Sequence, residues 1–200
     1  MTMTIDNAID PRLCWAAIAE FPKLDWDGWH YYNDQDAKKY GQKENVELPK
    51  VFDKCIDMMI KRCSTIVGSN CFPDLSLYGA GVHRIETEGY LRRHLDASLH
   101  ARTGWKREWS VILYLNPSWE ATDGGRFGMT SSLDENCDAS QTKWTEPVFN
   151  RMTIFQTHEK NRHQVEQYRG VHPRLSLALF YFSLDEPRQP LRHKAQFDPV

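Results

Sequence analysis

The 200-residue sequence predicts a mainly β protein, a double-sheet jelly roll with N-terminal helices packed on one face. Two observations predict it. Before about residue 70, two segments carry apolar residues at helical spacing, whereas later residues form short aromatic or β-branched segments between Gly, Pro, Asn and Asp turns. Many short strands after two helices bury their faces best as packed sheets with the helices outside. A chain of this length holds one domain comfortably and two poorly. Residues 1–183 are therefore expected to form one domain, with a jelly-roll core over about 75–183 and helical support over about 10–68. Residues 184–200, with Pro187, Pro190 and Pro199 among charges, are expected to be a polar, loosely held C-terminal extension.

Asp10 before Pro11 is an N-cap and first helical residue, and Leu13 to Ala19 continue as a short helix that Phe21-Pro22 ends. Trp26, Trp29, Tyr31 and Tyr32 mark an early strand, their aromatic rings expected in the core. A charged loop follows through Lys38, Lys39 and Lys43. From 49 to about 66, Val51, Phe52, Cys55, Met58, Met59, Cys63 and Ile66 recur on one helical face, with Met and Cys as core fillers. Beyond Gly68, strands are expected at 75–78, 82–87, 90–96, 109–116, 126–130, 151–156, 162–167 and 174–183.

Composition narrows the function classes. A formal net charge of -2 draws the chain to neither nucleic acid nor anionic lipid, and no basic run interleaved with aromatics appears. The five cysteines are odd in number and form no C-x-x-C, against a disulfide framework or a structural zinc site. The N-terminus lacks a cationic flank and an apolar run, and no later stretch would span a bilayer. A reduced, cytoplasmic protein is expected.

The chemistry centres on Tyr90-Leu91-Arg92-Arg93-His94-Leu95-Asp96. Residues two apart on a strand leave the same face with Cα atoms about 6.5–7 Å apart, so His94 and Asp96 could close on one metal ion. A second histidine would complete the facial triad of a non-haem Fe(II) site. His158 and His163 are both available; His163 falls in an alternating segment, and a strand holds a ligand more rigidly than the turn-like surroundings of His158. Arg174 and Ser176 share one face of the last strand, with Leu175, Leu177 and Leu179 on the other, placing a fixed cation and a hydroxyl together for a carboxylate.

With these features in order, the chain resembles a 2-oxoglutarate and Fe(II)-dependent oxygenase of the prolyl 4-hydroxylase-like group. The likeness rests on Gly89-Tyr90-Leu91-Arg92-Arg93-His94-Leu95-Asp96, Val111-Ile112-Leu113-Tyr114-Leu115-Asn116-Pro117-Ser118-Trp119, Gly124-Gly125, Phe155 ahead of His163-Gln164-Val165, and Arg174-Leu175-Ser176. It covers residues 78 to 183, about half the chain. It implies a double-stranded β-helix, or cupin-like, fold with His94, Asp96 and His163 as iron ligands. It also implies Arg174, Ser176 and Tyr114 as partners of the distal carboxylate of 2-oxoglutarate, O2 as second cosubstrate and ascorbate as an optional reductant. Arg107 stands where related prolyl hydroxylases carry a substrate-contacting arginine; a surface arginine is the plain alternative. Gly124-Gly125 is expected to serve a tight turn.

The implied reaction couples oxidative decarboxylation of 2-oxoglutarate to succinate and CO2 with hydroxylation of a C–H bond. Asp96, where related halogenases lack a carboxylate, favours hydroxylation. A prolyl or other residue of a protein or peptide is the implied substrate; a free amino acid or small metabolite is the alternative. A non-catalytic metal-binding module and a zinc hydrolase are the other classes, though the first leaves Arg174 and Ser176 without a purpose. Trp29, Trp105, Trp109 and Trp144 are open to cleft-lining or packing roles. The loop 131–145 carries no recognisable motif, and nothing in the chain fixes an oligomeric state.

Overall fold

A computed structural model describes residues 2–131, 139–186 and 191–199. Strand β1 (Thr2–Ile5) precedes α1 (Pro11–Ala19), which starts where capping chemistry dictates: the Asp10 carboxylate accepts from the Arg12 backbone N–H at 2.9 Å, and Pro11 takes the first helical position. Strands β2 (Trp29–Asn33) and β3 (Ala37–Gln42) form a hairpin ahead of α2 (Lys50–Cys63). Val51, Phe52, Cys55, Ile56, Met59 and Cys63 make the buried stripe of α2, and charged side chains occupy most of its other positions.

The remaining strands are β4 (Phe72–Pro73), β5 (Gly81–Ile85), β6 (Tyr90–Leu95), β7 (Lys106–Tyr114), β8 (Phe127–Ser131), β9 (Lys143–Thr145), β10 (Met152–Gln156), β11 (Asn161–Val165), β12 (Arg174–Ser183) and β13 (Gln196–Phe197). They pair antiparallel along the path β1-β10-β7-β12-β5-β3-β6-β11-β8-β9, with β2 on β3, β4 on β12 and β13 on β6. The path folds over at β3. Ala37 pairs with Leu91 of β6, whereas Gly41 pairs with His83 of β5, so one strand joins the two layers of the jelly roll.

Alternation along β12 divides the molecule. Leu175, Leu177, Leu179 and Tyr181 join Val111, Leu113, Met152 and Ile154 in the core that covers both helices. Arg174, Ser176, Ala178 and Phe180 face a cavity between the layers. Each fully buried leucine contributes about 1.5–3 kcal/mol, so the apolar face anchors a strand whose other face carries polar chemistry.

Several local expectations are corrected. Residues 37–42 form β3 instead of a charged loop, because pairing with β5 and β6 overrides the weak strand propensity of Ala-Lys-Lys-Tyr-Gly-Gln. Residues 75–78 form no strand; the Asp74 carboxylate accepts from the backbone of Ser76 at 3.0 Å and Tyr78 at 3.1 Å and closes a turn there. Trp29 is core, but Tyr31 and Tyr32 are exposed. In the loop 131–145, β9 pairs with β8, and 132–138 lie outside the described residues. Of the C-terminal extension, 187–190 also lie outside them, while β13 pairs with β6 and ties down its end. No helix among the described residues is long and apolar enough to cross a membrane.

Candidate active site

His94 on β6 and His163 on β11 sit directly opposite each other, with ring centroids 4.2 Å apart. Three steps along β6, from Leu91 to His94, span the same ladder as two along β11, from His163 to Val165. This bulge absorbs one residue of Arg92-Arg93 and changes the parity, so Leu91 and His94 both line the cavity. Asp96, just past the strand, lies 3.7 Å from His94 Nε2 through Oδ1 and 3.6 Å from His163 Nε2 through Oδ2. One donor atom from each residue lies within 4.8 Å of the others.

The backbone sets the tautomers. His94 Nδ1 is 2.8 Å from the Arg92 carbonyl and His163 Nδ1 is 3.2 Å from the Asn161 carbonyl. Carbonyls only accept, so each Nδ1 carries the proton and each Nε2 keeps its lone pair toward the shared point. Burial, reinforced by His94, pushes the His163 pKa down to about 3, which leaves its imidazole neutral. Burial alone would raise the pKa of Asp96, but the Arg107 charge and then the histidines hold it well below the carboxylate range. Two imidazoles that present Nε2 and one carboxylate, oriented before any ion arrives, fit a divalent first-row metal.

Arg107 is buried, so it is not a surface arginine. Its Nη2 donates to Asp96 Oδ2 at 2.8 Å and to Ser110 Oγ at 2.9 Å, and its guanidinium lies over the Phe180 ring. His158 is exposed on the turn after β10, its Nδ1 accepting from Lys160 N at 3.1 Å, away from the triad.

The cavity, about 450 Å³, runs from the triad to Arg174 and Ser176. Arg174 Nε donates to the Gly125 carbonyl at 2.7 Å, which leaves its terminal nitrogens for a ligand. Nearby, the Tyr114 hydroxyl and Thr153 Oγ1 are buried without a hydrogen-bond partner of good geometry. Burial raises the Tyr114 pKa although Arg174 opposes it, so the phenol remains a donor. Arg174 and Ser176 on the cavity wall, with the Tyr114 hydroxyl beside the guanidinium, fit a carboxylate. A larger cavity of about 640 Å³ opens on the opposite face of β12, beside Leu115 and Leu175, away from the triad. Chemistry, not volume, selects the site.

Sequence reasoning missed several supports. Thr153 carried no motif. Gly125, at φ 67, orients Arg174, and a Cβ there would meet Tyr168 at 2.8 Å and Arg174 Cδ at 3.0 Å; the Gly-Gly pair was the available signal. Asn116 accepts from Leu175 N at 2.6 Å and donates to the Pro147 carbonyl at 2.7 Å, tying the end of β7 to the arginine strand. Asp198 pairs with both Arg93 and Arg162, the residues preceding the two histidines, and Phe197 lies 5.0 Å from the His94 ring. Of the four tryptophans weighed as cleft-lining, among seven in the chain, Trp29 and Trp109 are core, Trp105 packs near Phe182, Trp144 is on β9, and the wall of this cavity includes none of the four.

Comparison with known proteins returns one family model, the 2OG-Fe(II) oxygenase superfamily, over residues 80–182, just over half of the chain. The chain is 26% identical over 157 residues to prolyl hydroxylase EGLN3 of Mus musculus, across 78% of this chain and 61% of that relative's length. It shares its fold with a prolyl-4-hydroxylase of Pseudomonas putida, at TM-score 0.64 and 18% identity, over 92% of this chain and 93% of that one. A Trichoplax adhaerens prolyl hydroxylase, solved with a hypoxia inducible factor peptide fragment, superposes with TM-score 0.61 and 18% identity over 91% and 83% of the two chains. All of these matches agree with the expected double-stranded β-helix.

Proposed function

The chain belongs to the 2OG-Fe(II) oxygenase superfamily, and on that premise we propose that it is a 2-oxoglutarate- and O2-dependent hydroxylase of a prolyl residue in a protein or peptide. One observation carries this: a single cavity joins the His94, Asp96 and His163 donors to Arg174 and Ser176, with the Tyr114 hydroxyl beside Arg174. The likeness to prolyl hydroxylases supports the residue acted upon. Fe(II) and 2-oxoglutarate, when bound with O2, supply oxidative decarboxylation to succinate and CO2 coupled to hydroxylation of a C–H bond.

The protein contributes geometry and polarity. His94 and His163 offer Nε2 lone pairs, and Asp96 supplies the protein carboxylate at the third position. Arg107 orients Asp96 and keeps it ionised; a direct substrate contact by Arg107 would use donors beyond those two bonds. Arg174 holds the distal carboxylate of 2-oxoglutarate, with Tyr114, Thr153 and Ser176 beside it. Phe127, Phe155, Ile112 and Phe180 make an apolar wall that excludes water. Buried free thiols at Cys14, Cys55 and Cys63, each with its pKa raised by burial, support a reduced, cytoplasmic setting.

The test is succinate formation with Fe(II), 2-oxoglutarate and O2, read beside a mass gain of one oxygen on prolyl peptides. Turnover should vanish in Asp96→Ala and His163→Ala and persist in His158→Ala. Full turnover in either triad variant would end this assignment.

A further inference from the structure

One cation of the cavity has no place in that chemistry. Lys39 lies on β3 between Ala37, paired with Leu91 of the metal-ligand strand, and Gly41, paired with His83 of β5. His83 in turn faces Ser176 on the arginine strand. Lys39 thus lines the cavity where the two layers meet. No hydrogen bond or ion pair reaches its ammonium among the described residues. Its neighbour is the Tyr32 ring, 5.5 Å from Nζ. A cation–π contact steadies the chain and leaves the N–H donors unused.

The surrounding charges provide no partner. Lys39, Arg107 and Arg174 all line the cavity, and Asp96 is committed to Arg107. At the rim, Asp36 pairs with Arg92 at 2.7 Å, and Asp34 accepts from the backbone of Asp36 and Ala37. His83, pushed well below its ordinary pKa by burial and by Lys39, is neutral. A divalent ion and dianionic 2-oxoglutarate cancel, so the positive surplus persists once both are bound. Burial, with Arg174 and Arg107, brings the Lys39 pKa down to about 8, which still leaves it mostly protonated at neutral pH. A part-buried ammonium without an acceptor is costly, and the two carboxylates of 2-oxoglutarate already have Arg174 and the metal.

We propose that Lys39 determines specificity by receiving a carboxylate of the substrate, so that the protein selects a prolyl residue flanked by an acidic residue, an assignment that rests on the hydroxylase reading above. Tyr32 positions the ammonium, and Gly41 keeps the space open: a Cβ there would meet Tyr32 at 3.3 Å and His83 at 3.6 Å.

The Ni(II)-loaded full chain is titrated calorimetrically, first with 2-oxoglutarate and then with two capped peptides, Glu-Pro-Glu and Gln-Pro-Gln. Wild type should bind the acidic peptide about tenfold or more tightly than the amide, as one charge-assisted contact implies. The preference should collapse in Lys39→Met and survive in Lys39→Arg, with 2-oxoglutarate affinity unchanged in both. Equal or undetectable binding of both peptides by wild type overturns the inference, as does an unchanged preference in Lys39→Met. A tenfold loss of 2-oxoglutarate affinity in Lys39→Met also overturns it, assigning the ammonium to the cosubstrate. Wild type that binds no 2-oxoglutarate fails the hydroxylase reading itself, in the first titration, before any peptide is added.

Discussion

Arg107 donates to Asp96 Oδ2 at 2.8 Å from a buried position beneath the metal triad, so the carboxylate is charged and aimed before an ion binds. A metal-free protein depends on that pair. Breaking a buried pair from one side costs about 3–5 kcal/mol, because the other charge stays behind. Arg107→Met should therefore lower metal-free stability by about that much, and saturating Ni(II) should restore more stability to the variant than it adds to wild type, since the ion takes over the compensation. Urea unfolding with and without Ni(II) reads both values; equal metal-free stabilities would remove Arg107 from this role.

Asp198 reaches back from the C-terminal segment to Arg93 and Arg162, each one residue before a ligand histidine. One carboxylate thereby fixes the β6 and β11 backbones relative to each other. Groups that orient metal ligands from behind are typically worth about 10–100-fold in metal affinity. Asp198→Ala should weaken Ni(II) binding by about tenfold or more, with 2-oxoglutarate affinity at saturating metal nearly unchanged, because Arg174, Tyr114 and Thr153 lie on β12, β7 and β10, strands that Asp198 does not tie. Metal titration followed by cosubstrate titration separates the two. Unaltered Ni(II) affinity would reduce Asp198 to a tether for the tail.

Arg174 makes the complementary case. Losing a charge-assisted, desolvated contact to a carboxylate costs about 1.5–3 kcal/mol, or roughly 10–150-fold in affinity. Arg174→Ala should weaken 2-oxoglutarate binding within that range and leave Ni(II) binding alone. Tyr114→Phe and Thr153→Val should each cost less, because each removes one neutral donor. Calorimetry on the metal-loaded variants orders the three; a Thr153→Val loss matching that of Arg174→Ala would reassign the anchor.

The sequence exposed the parts of the site that obey strand parity and hid those that depend on pairing. Arg174 and Ser176 are two apart on β12, and Asp96 falls two residues after His94 at the end of β6, so their common faces follow from extended-chain alternation. Convergence of His163 on His94 does not, because register across β6 and β11 depends on a bulge that no local pattern announces. Lys39 looked like part of a solvated loop, since Lys38, Lys39 and Lys43 are a charge cluster in one dimension. Pairing with β5 and β6 turns Lys39 inward. Thr153 is silent for the same reason: its importance lies in the hydroxyl and guanidinium that neighbouring strands bring to it.

Lys39 also carries a stability signature that needs no substrate. Its folded pKa is about 8, below the ordinary 10.5, with burial the leading cause. A lysine depressed on folding holds its proton more tightly in the unfolded chain, so it destabilises the fold fully below about pH 8. The penalty is relieved as pH rises from about 8 toward 10.5, where the unfolded chain also loses the proton. Lys39 keeps some solvent contact, so the discounted cost at pH 7 is about 1–3 kcal/mol. Lys39→Met, free of metal and cosubstrate, should be more stable than wild type by that amount at pH 7, with the gap narrowing steadily to pH 10.5. Other groups titrating over that range do so in both proteins and drop out of the difference. Parallel urea unfolding at several pH values checks it, and a variant less stable than wild type at pH 7 would mean that the ammonium already has a partner in the folded chain.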